Sequence, residues 1–174
     1  LQYTDLHLPG NGGFDLAVIR SYNSASIDPL NPYETESYAG LGWTVHFGRV
    51  LKSKDNVICN NVNQTSVADN PVLELQDGSK QLLAFTGSTS PLMLTTQRWK
   101  ADCMTGGVAV YSPEGTRYDM TRLVNVGTQF KPVYAWYTTK ITDKNGNYAT
   151  VAYTGTATAQ MSSITTNDGR SITF

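Results

Sequence analysis

The chain has 174 residues, a formal net charge of -1 and 16% charged residues, against about 25% in average globular proteins. It lacks the runs of lysine and arginine that attract nucleic-acid backbones or anionic membranes, so we expect no nucleic-acid partner. No apolar stretch approaches the roughly 18 residues of a membrane-spanning helix, so we expect no membrane insertion by this chain.

The N-terminal region has the pattern of a β-hairpin. Residues 3–8 alternate between apolar and polar side chains and stop at a Pro-Gly-Asn-Gly-Gly loop, 9–13, and the alternation resumes over 14–22. Residues 25–39 are polar and interrupted by prolines, which is typical of an exposed loop.

A tryptophan flanked by glycines comes next. The segment Gly40-Leu41-Gly42-Trp43 indicates a bend where the backbone approaches closely and the indole is packed. The alternation over residues 44–51 predicts one further strand, and residues 56–70, which have no period, predict a surface excursion.

Four later stretches each combine two β-branched or aromatic runs with a glycine-containing turn. They are 72–85 with Asp77-Gly78, 108–120 with Pro113-Glu114-Gly115, 141–153 with Asn145-Gly146, and 163–174 with Asp168-Gly169. Asn-Gly and Asp-Gly supply the positive φ angles of two-residue hairpin turns, so each stretch predicts a β-hairpin.

The predicted fold class is all-β, because no window combines helical periodicity with capping residues. We expect successive antiparallel hairpins to form a curved sheet or a section resembling a β-sandwich. A region with long loops, 1–70, precedes degenerate hairpin repeats, 71–174, with both packed as one domain. Because the chain starts at Leu1 without a methionine and ends on a strand at Phe174, we expect it to be part of a longer polypeptide.

The order of motifs resembles the opening of the bacterial Rhs/YD-repeat proteins. These motifs are Asp5-Leu6-His7-Leu8-Pro9-Gly10, then Arg20-Ser21-Tyr22-Asn23-Ser24, then Gly40-Leu41-Gly42-Trp43. The later hairpins are similar to the degenerate repeats of that family, although only Tyr118-Asp119 reproduces the Tyr-Asp pair literally.

The resemblance implies a shell of spiralling β-hairpins that encloses a C-terminal cargo, often a toxin, in a secreted or cell-surface bacterial protein. Relatives include shell components of insecticidal toxin complexes and the teneurins. The implied partners are the rest of the shell and its cargo, with a cell-surface glycan or protein as a further candidate. The segment that carries self-cleavage in such proteins has no counterpart here, so we expect no enzyme activity.

Three arginines lie beside tyrosines or turns and suggest contacts between hairpins. A guanidinium group can stack on an aromatic ring and bond to turn oxygens, which would tie one hairpin to the next. The structural inter-hairpin candidates are Arg20, Tyr22, Trp43, Arg117, Tyr118 and Arg170.

Other candidate sites have simpler interpretations. Asp143, Asn145 and Asn147 are spaced like calcium ligands, but Tyr148 replaces the glycine of a calcium loop, so a plain turn is expected and no metal or cofactor is predicted. The only histidines, His7 and His46, lie in predicted strands without the pattern of a catalytic triad.

Two questions stay open at this stage. Trp43, Trp99, Trp136 and the ten tyrosines could form an exposed aromatic surface, so the alternative function is a separate β-sandwich module that binds glycan or peptide. Cys59 and Cys103 could form a disulfide, while two unpaired thiols are the simpler interpretation.

Overall fold

The computed structural model describes residues 1–24, 38–59, 70–127, 129–156 and 158–174. The predicted all-β class is confirmed, because the regular elements are strands apart from a single turn at Asn11–Gly13. Most of the two predicted surface segments, 25–39 and 56–70, lies outside these ranges. Over the same ranges, no helix has the length and apolar character that crossing a membrane requires.

The described residues contain fifteen strands. The first eight are β1 (Gln2–Leu8), β2 (Leu16–Tyr22), β3 (Trp43–Val45), β4 (Arg49–Ser53), β5 (Val72–Glu74), β6 (Lys80–Leu82), β7 (Ala84–Phe85) and β8 (Met93–Leu94). The others are β9 (Lys100–Met104), β10 (Gly107–Tyr111), β11 (Arg117–Asn125), β12 (Val133–Thr142), β13 (Tyr148–Tyr153), β14 (Met161–Thr166) and β15 (Ser171–Thr173).

The strands from β4 to β12 form a nearly closed barrel. Each strand from β7 to β12 pairs with the next strand in sequence, and β12 also pairs with β4, which pairs with β5. β5 then pairs with β6, and β6 continues into β7 through Leu83, whose N–H donates to the Pro71 carbonyl at 2.8 Å. β6 and β7 therefore act as one bent strand that brings the sheet back to its start.

The barrel interior is an apolar core to which every strand of the ring except β6 contributes. Its most deeply buried side chains are Val50, Leu73, Leu83, Met93, Ala101, Val108, Val110, Met120 and Trp136. Successive residues of a strand face opposite sides of a sheet, so Val108 and Val110, which are two positions apart, both face the interior. The prediction of a curved sheet is confirmed, and the near-closure of the curve is an additional finding.

A second core lies where β12 leaves the barrel. Residues 140–142 of β12 pair with β13, and β14 and β15 continue this sheet outward. The separate sheet β1–β2–β3 shares an apolar core with this extension, so the two sheets form a sandwich. The core consists of Phe14, Leu16, Val18, Val45, Phe47, Ile141, Ala149, Val151, Met161 and Ile164. Barrel and sandwich thus share β12.

All four predicted hairpins are present. The turn at 113–115 has the predicted three residues, whereas the two-residue turns predicted at Asp77-Gly78, Asn145-Gly146 and Asp168-Gly169 are wrong. Each loop has three residues, 76–78, 113–115, 144–146 and 167–169, and ends on a glycine with φ between 81° and 93°. The glycine N–H donates to the carbonyl three residues earlier, as in a type I turn followed by one left-handed residue. Only the glycine therefore needs a positive φ, and the preceding Asp or Asn does not.

A fifth hairpin with the same loop geometry joins β8 to β9. Arg98 donates its N–H to the Thr95 carbonyl at 3.0 Å, and Thr95 donates to the Trp99 carbonyl at 2.9 Å. Arg98 occupies the position that glycine holds in the other four loops, and it adopts a φ of 65°. Because no glycine marks this loop, the turn pattern in the sequence does not reveal the hairpin.

The single strand predicted over residues 44–51 is wrong, because Gly48 divides it. β3 belongs to the sandwich sheet and β4 to the barrel, and Gly48 lies between them with a φ of 99°. The Thr138 hydroxyl of β12 donates to the Gly48 carbonyl at 2.9 Å. The bend thereby directs Phe47 into the sandwich core and Val50 into the barrel core.

Cys59 and Cys103 form a disulfide, with Cα atoms 5.7 Å apart. The interpretation of two unpaired thiols is therefore corrected. The bond joins the segment after β4 to β9, across a sequence separation of 44 residues.

Candidate functional site: the junction of barrel and sandwich

Four polar side chains lie buried where the barrel meets the sandwich, and we call them the junction cluster: His46, Arg49, Glu74 and Tyr137. The bend at Gly48 places His46 before it and Arg49 after it. Arg49 of β4 is directly opposite Glu74 of β5 on one side and opposite Tyr137 of β12 on the other. The pairing of three adjacent strands thus builds the cluster.

Arg49 is the centre of the cluster. Its Nε donates to Glu74 Oε2 at 2.9 Å, and its Nη2 lies 2.7 Å from the same oxygen. Its Nη1 donates to the Tyr137 hydroxyl at 2.8 Å. The guanidinium therefore has both a counter-ion and a polar partner within the protein, as a buried charge requires.

His46 is buried as a neutral ring. Its Nδ1 accepts the Gly48 N–H at 3.0 Å, which leaves the ring proton on Nε2. Nε2 lies 3.7 Å from Glu74 Oε1, too far for a normal hydrogen bond, and has no other partner among the described residues. Burial lowers the pKa of His46 below its usual value, and the positive charge of Arg49 lowers it further.

Glu74 is held as a carboxylate. Burial alone would raise its pKa, but the His46 N–H and the Arg49 guanidinium lower it from 4.5 to about 2. The same carboxylate and the Tyr137 hydroxyl keep Arg49 charged, because they raise its pKa despite its burial. At neutral pH the cluster therefore contains one buried ion pair and one neutral histidine.

The geometry of the junction cluster suits a structural role. His46 and Glu74 resemble an acid–base pair in composition, but both side chains are almost fully buried, so a substrate in solvent has no access to them. Sequence reasoning missed the cluster, except that it noted His46 as a histidine in a strand. The available signal was the presence of Arg49 and Glu74 inside otherwise apolar strand segments.

The structure brings together three of the predicted inter-hairpin residues. The Trp43 ring lies 5.1 Å from that of Tyr22 and 6.0 Å from that of Tyr3, measured between centroids. The Arg20 guanidinium lies over Trp43 at 5.3 Å, and its Nε is 2.6 Å from an Asp5 oxygen. These contacts join β1, β2 and β3 within one sheet.

Arg117 and Arg170 make their described hydrogen bonds within their own hairpins. Arg117 Nε lies 2.6 Å from an oxygen of Asp119, and its guanidinium lies over Tyr111, the residue opposite it on β10. Arg170 Nε donates to Asp168 at 2.9 Å within the last turn. Arg117 thus stabilises a single hairpin, whereas the prediction assigned it to contacts between hairpins. Arg170 also interacts electrostatically with Asp15 of the first hairpin.

Tyr118 is the predicted residue that does join separate parts of the molecule. Its ring packs against both the barrel core and the sandwich core. It also lies 5.8 Å from the ring of Trp99, which follows the Arg98 turn. Tyr118 therefore links two different hairpins and both cores.

The predicted row of exposed tryptophans is not formed in the described part of the chain. Trp136 is 2% exposed and belongs to the barrel core, and Trp99 packs against the same core. Trp43 lies in the other sheet, half-buried among its aromatic neighbours. These three rings therefore do not form one exposed surface for a glycan or a peptide.

The remaining candidates serve local structure. His7 Nε2 lies 3.6 Å from Asp15 at an exposed position, while Asp5 contacts Arg20. The Asp143 carboxylate accepts the side-chain amide of Asn147 and the backbone N–H groups of Asn145 and Asn147, and these bonds within the turn lower its pKa. The carboxylate thus closes the hairpin loop, as the plain-turn interpretation expects.

No protein-family model and no curated protein matches the chain. Among solved structures, the chain is similar to the N-terminal domain of the effector protein SpvB from Salmonella typhimurium strain LT2, with a TM-score of 0.47 and 13% sequence identity. The match covers 94% of this chain and 64% of that domain, so the chain spans less than two-thirds of its length. Similarity at this level is weak and carries no argument about function.

Proposed function

We propose that the chain is a structural section of an Rhs/YD-repeat type of shell, and that it forms part of a wall that encloses or presents another segment. The observation that carries this proposal is the order of the strands. From β7 to β15, the order in the sheet is the same as the order in the sequence. Each hairpin therefore extends a sheet begun by the previous one, which is how a ribbon of hairpins builds a continuous wall.

The two apolar cores support a structural role for this section. The barrel and the sandwich share β12, and the junction cluster fixes β4, β5 and β12 at that point. A buried ion pair favours one strand register over others, because a slip by one residue would leave a charge unpaired. The motifs between Asp5 and Trp43, which resemble the family opening, contribute to the sheet β1–β2–β3, one of the two sheets of the sandwich.

The last strand offers an edge where the wall can continue. Phe174 donates its N–H to Ser162 of β14, and the Arg170 carbonyl accepts from Thr166, so even-numbered residues face β14. The backbone N–H and C=O groups of successive residues in a strand point to opposite sides. Those of Ser171 and Thr173 therefore point away from β14. An edge of this kind pairs readily with another strand.

The proposal includes a setting and partners. The partners are the remainder of the polypeptide and an enclosed cargo segment, and the setting is the secreted or cell-surface fraction of a bacterium. A cell-surface glycan or protein is a further partner in this proposal. The chain performs no catalysis of its own and requires no cofactor.

Limited proteolysis of the full-length polypeptide tests the proposed function. We expect its C-terminal cargo segment to resist protease while the wall is intact and to be cleaved once the wall is opened by Glu74→Gln. Digestion of the cargo at the same rate in both proteins would contradict a wall that encloses it. The conservative variant Asp77→Asn, at an exposed turn outside the junction cluster, controls for the loss of one carboxylate.

A further inference from the structure

A groove of about 330 Å³ opens at the edge of the sandwich, between the loop after β1 and the tips of two hairpins. We call it the loop groove. Gly12 and Gly13 form one wall, and Glu114 and Lys144 lie on the two hairpin tips opposite. None of the features described above accounts for it.

The inner part of the loop groove is apolar. Phe14, Phe47 and Ile141 line it, and all three belong to the sandwich core. The Tyr118 side chain also lines it, and its hydroxyl has no hydrogen-bond partner among the described residues. The groove therefore combines an apolar floor with an aromatic ring and an available polar atom.

The charged groups around the groove are mainly acidic. Its lining contains three carboxylates, Asp15, Glu114 and Asp143, and one ammonium group, Lys144, so the formal charges sum to -2. The Asp143 carboxylate is occupied by bonds within its turn.

The two remaining carboxylates differ in the number of partners that they have within the protein. One oxygen of Asp15 accepts the Gly10 N–H at 2.7 Å, and the other lies 3.6 Å from His7. Glu114 has neither a hydrogen bond nor an ion pair within the described ranges, and it lies close enough to raise the pKa of Tyr118, next to the larger effect of burial. Glu114 is thus the carboxylate that is open to a ligand.

We propose that the loop groove binds an arginine side chain presented by a partner polypeptide. The methylene groups would lie on Phe14 and Phe47, and the guanidinium would donate to the Tyr118 hydroxyl and pair with Glu114. Charge complementarity selects a cation, and a planar guanidinium has enough N–H groups to serve both the hydroxyl and the carboxylate.

The position of the groove indicates a side chain of a polypeptide as its occupant. Its rim consists of exposed loop residues, such as Gly12, Glu114 and Lys144, while its floor is the edge of a core. A ligand that fills the floor can therefore keep its attachment point outside, as a residue within a peptide does. This inference does not depend on the proposed shell role.

Titration of the ¹⁵N-labelled chain with the peptide acetyl-Gly-Ala-Arg-Ala-Gly-amide tests the proposal. We expect saturable amide shifts that include Gly13, Thr116 and Lys144, which surround the groove. The same peptide with citrulline in place of arginine keeps the shape without the charge, and we expect it to bind at least about fivefold more weakly.

Three variants separate groove binding from general electrostatics. Glu114→Gln should weaken binding of the arginine peptide by at least about threefold, and Lys144→Gln should strengthen it. Asp77→Asn removes one negative charge at the corresponding loop position outside the groove, so binding should be unchanged. All three positions are in exposed turns, so the fold should be retained.

Several results would overturn the proposal. Shifts that do not saturate, equal binding of the citrulline peptide, or unchanged binding by Glu114→Gln would each remove the arginine site. Binding of propylguanidine without binding of the peptide would assign the groove to a small cation, and would thereby reject a polypeptide partner.

Discussion

Arg49 and Glu74 form an ion pair in the interior, with two arginine nitrogens at 2.9 and 2.7 Å from one carboxylate oxygen. The two residues are directly opposite each other on β4 and β5, at the junction of the barrel with the sandwich. A buried pair of this kind adds little net stability compared with an apolar pair, but it makes the loss of one partner costly.

Glu74→Gln should destabilise the protein by about 3–5 kcal/mol, because Arg49 would remain charged and buried without its counter-ion. Urea unfolding followed by tryptophan fluorescence measures this change. The double variant Arg49→Met/Glu74→Leu should recover most of the lost stability, since it removes both charges. Equal stability of Glu74→Gln and the unchanged protein would show that the pair is not essential to the junction.

Stability should fall as the pH falls from neutral. His46 and Glu74 both have a lower pKa in the folded protein than in the unfolded chain, so the unfolded chain binds more protons at acidic pH. The stability that depends on neutral His46 is lost as the pH falls below about 6.5. The stability that depends on ionised Glu74 is lost as the pH falls from 4.5 to about 2. The Glu74 contribution at neutral pH is roughly 3 kcal/mol.

Urea midpoints measured between about pH 7 and about pH 3 check this dependence. His46→Gln should flatten the upper part of the profile, where His46 takes up its proton on unfolding. A profile that stays level down to about pH 4 in the unchanged protein would contradict a neutral, buried His46.

The third loop residue of the hairpins should respond in opposite ways to two substitutions. Gly115→Ala should cost about 1 kcal/mol, because alanine is strained at a φ of 93° while its Cβ has ordinary space. Arg98→Gly should be neutral or stabilise by up to about 1 kcal/mol, because it relieves a left-handed arginine. Thermal unfolding of both variants measures these changes in stability. A clear loss of stability in Arg98→Gly would count against the shared loop geometry.

Removal of the disulfide should weaken the barrel wall at β9. Cys59→Ser/Cys103→Ser should lose up to about 4 kcal/mol, the chain-entropy value for a loop of this length. Urea unfolding of this variant without reductant, compared with the unchanged protein with and without reductant, measures the effect. If reductant left the stability of the unchanged protein unaltered, the bond would not be part of the folded state in solution.

The sequence was sufficient to predict the local elements of the fold. Alternation and glycine turns identified four hairpins, since both features depend on residues close in sequence. The hairpin at Arg98 was missed because its left-handed residue is not glycine. The division of residues 44–51 was missed because Gly48 fits an alternating pattern as well as a bend.

Features that depend on long-range pairing were not predictable from the pattern. The barrel closes because β4 lies beside β12, and the two strands are about eighty residues apart in sequence. The same pairing brings Arg49 to Tyr137, so a charged residue inside each of two apolar strand segments was the only local signal of the junction cluster. Trp136 is similarly a residue type that often binds ligands, and only its position in the folded protein shows that it belongs to the core.

Hydrogen–deuterium exchange at the β15 edge tests the central claim most directly. In the chain alone, the amides of Ser171 and Thr173 should exchange rapidly, because they face away from β14. In the full-length polypeptide they should exchange at least about tenfold more slowly, since the next hairpin pairs with them. Equally rapid exchange in both proteins would mean that the sheet stops at β15, and would contradict a continuous wall.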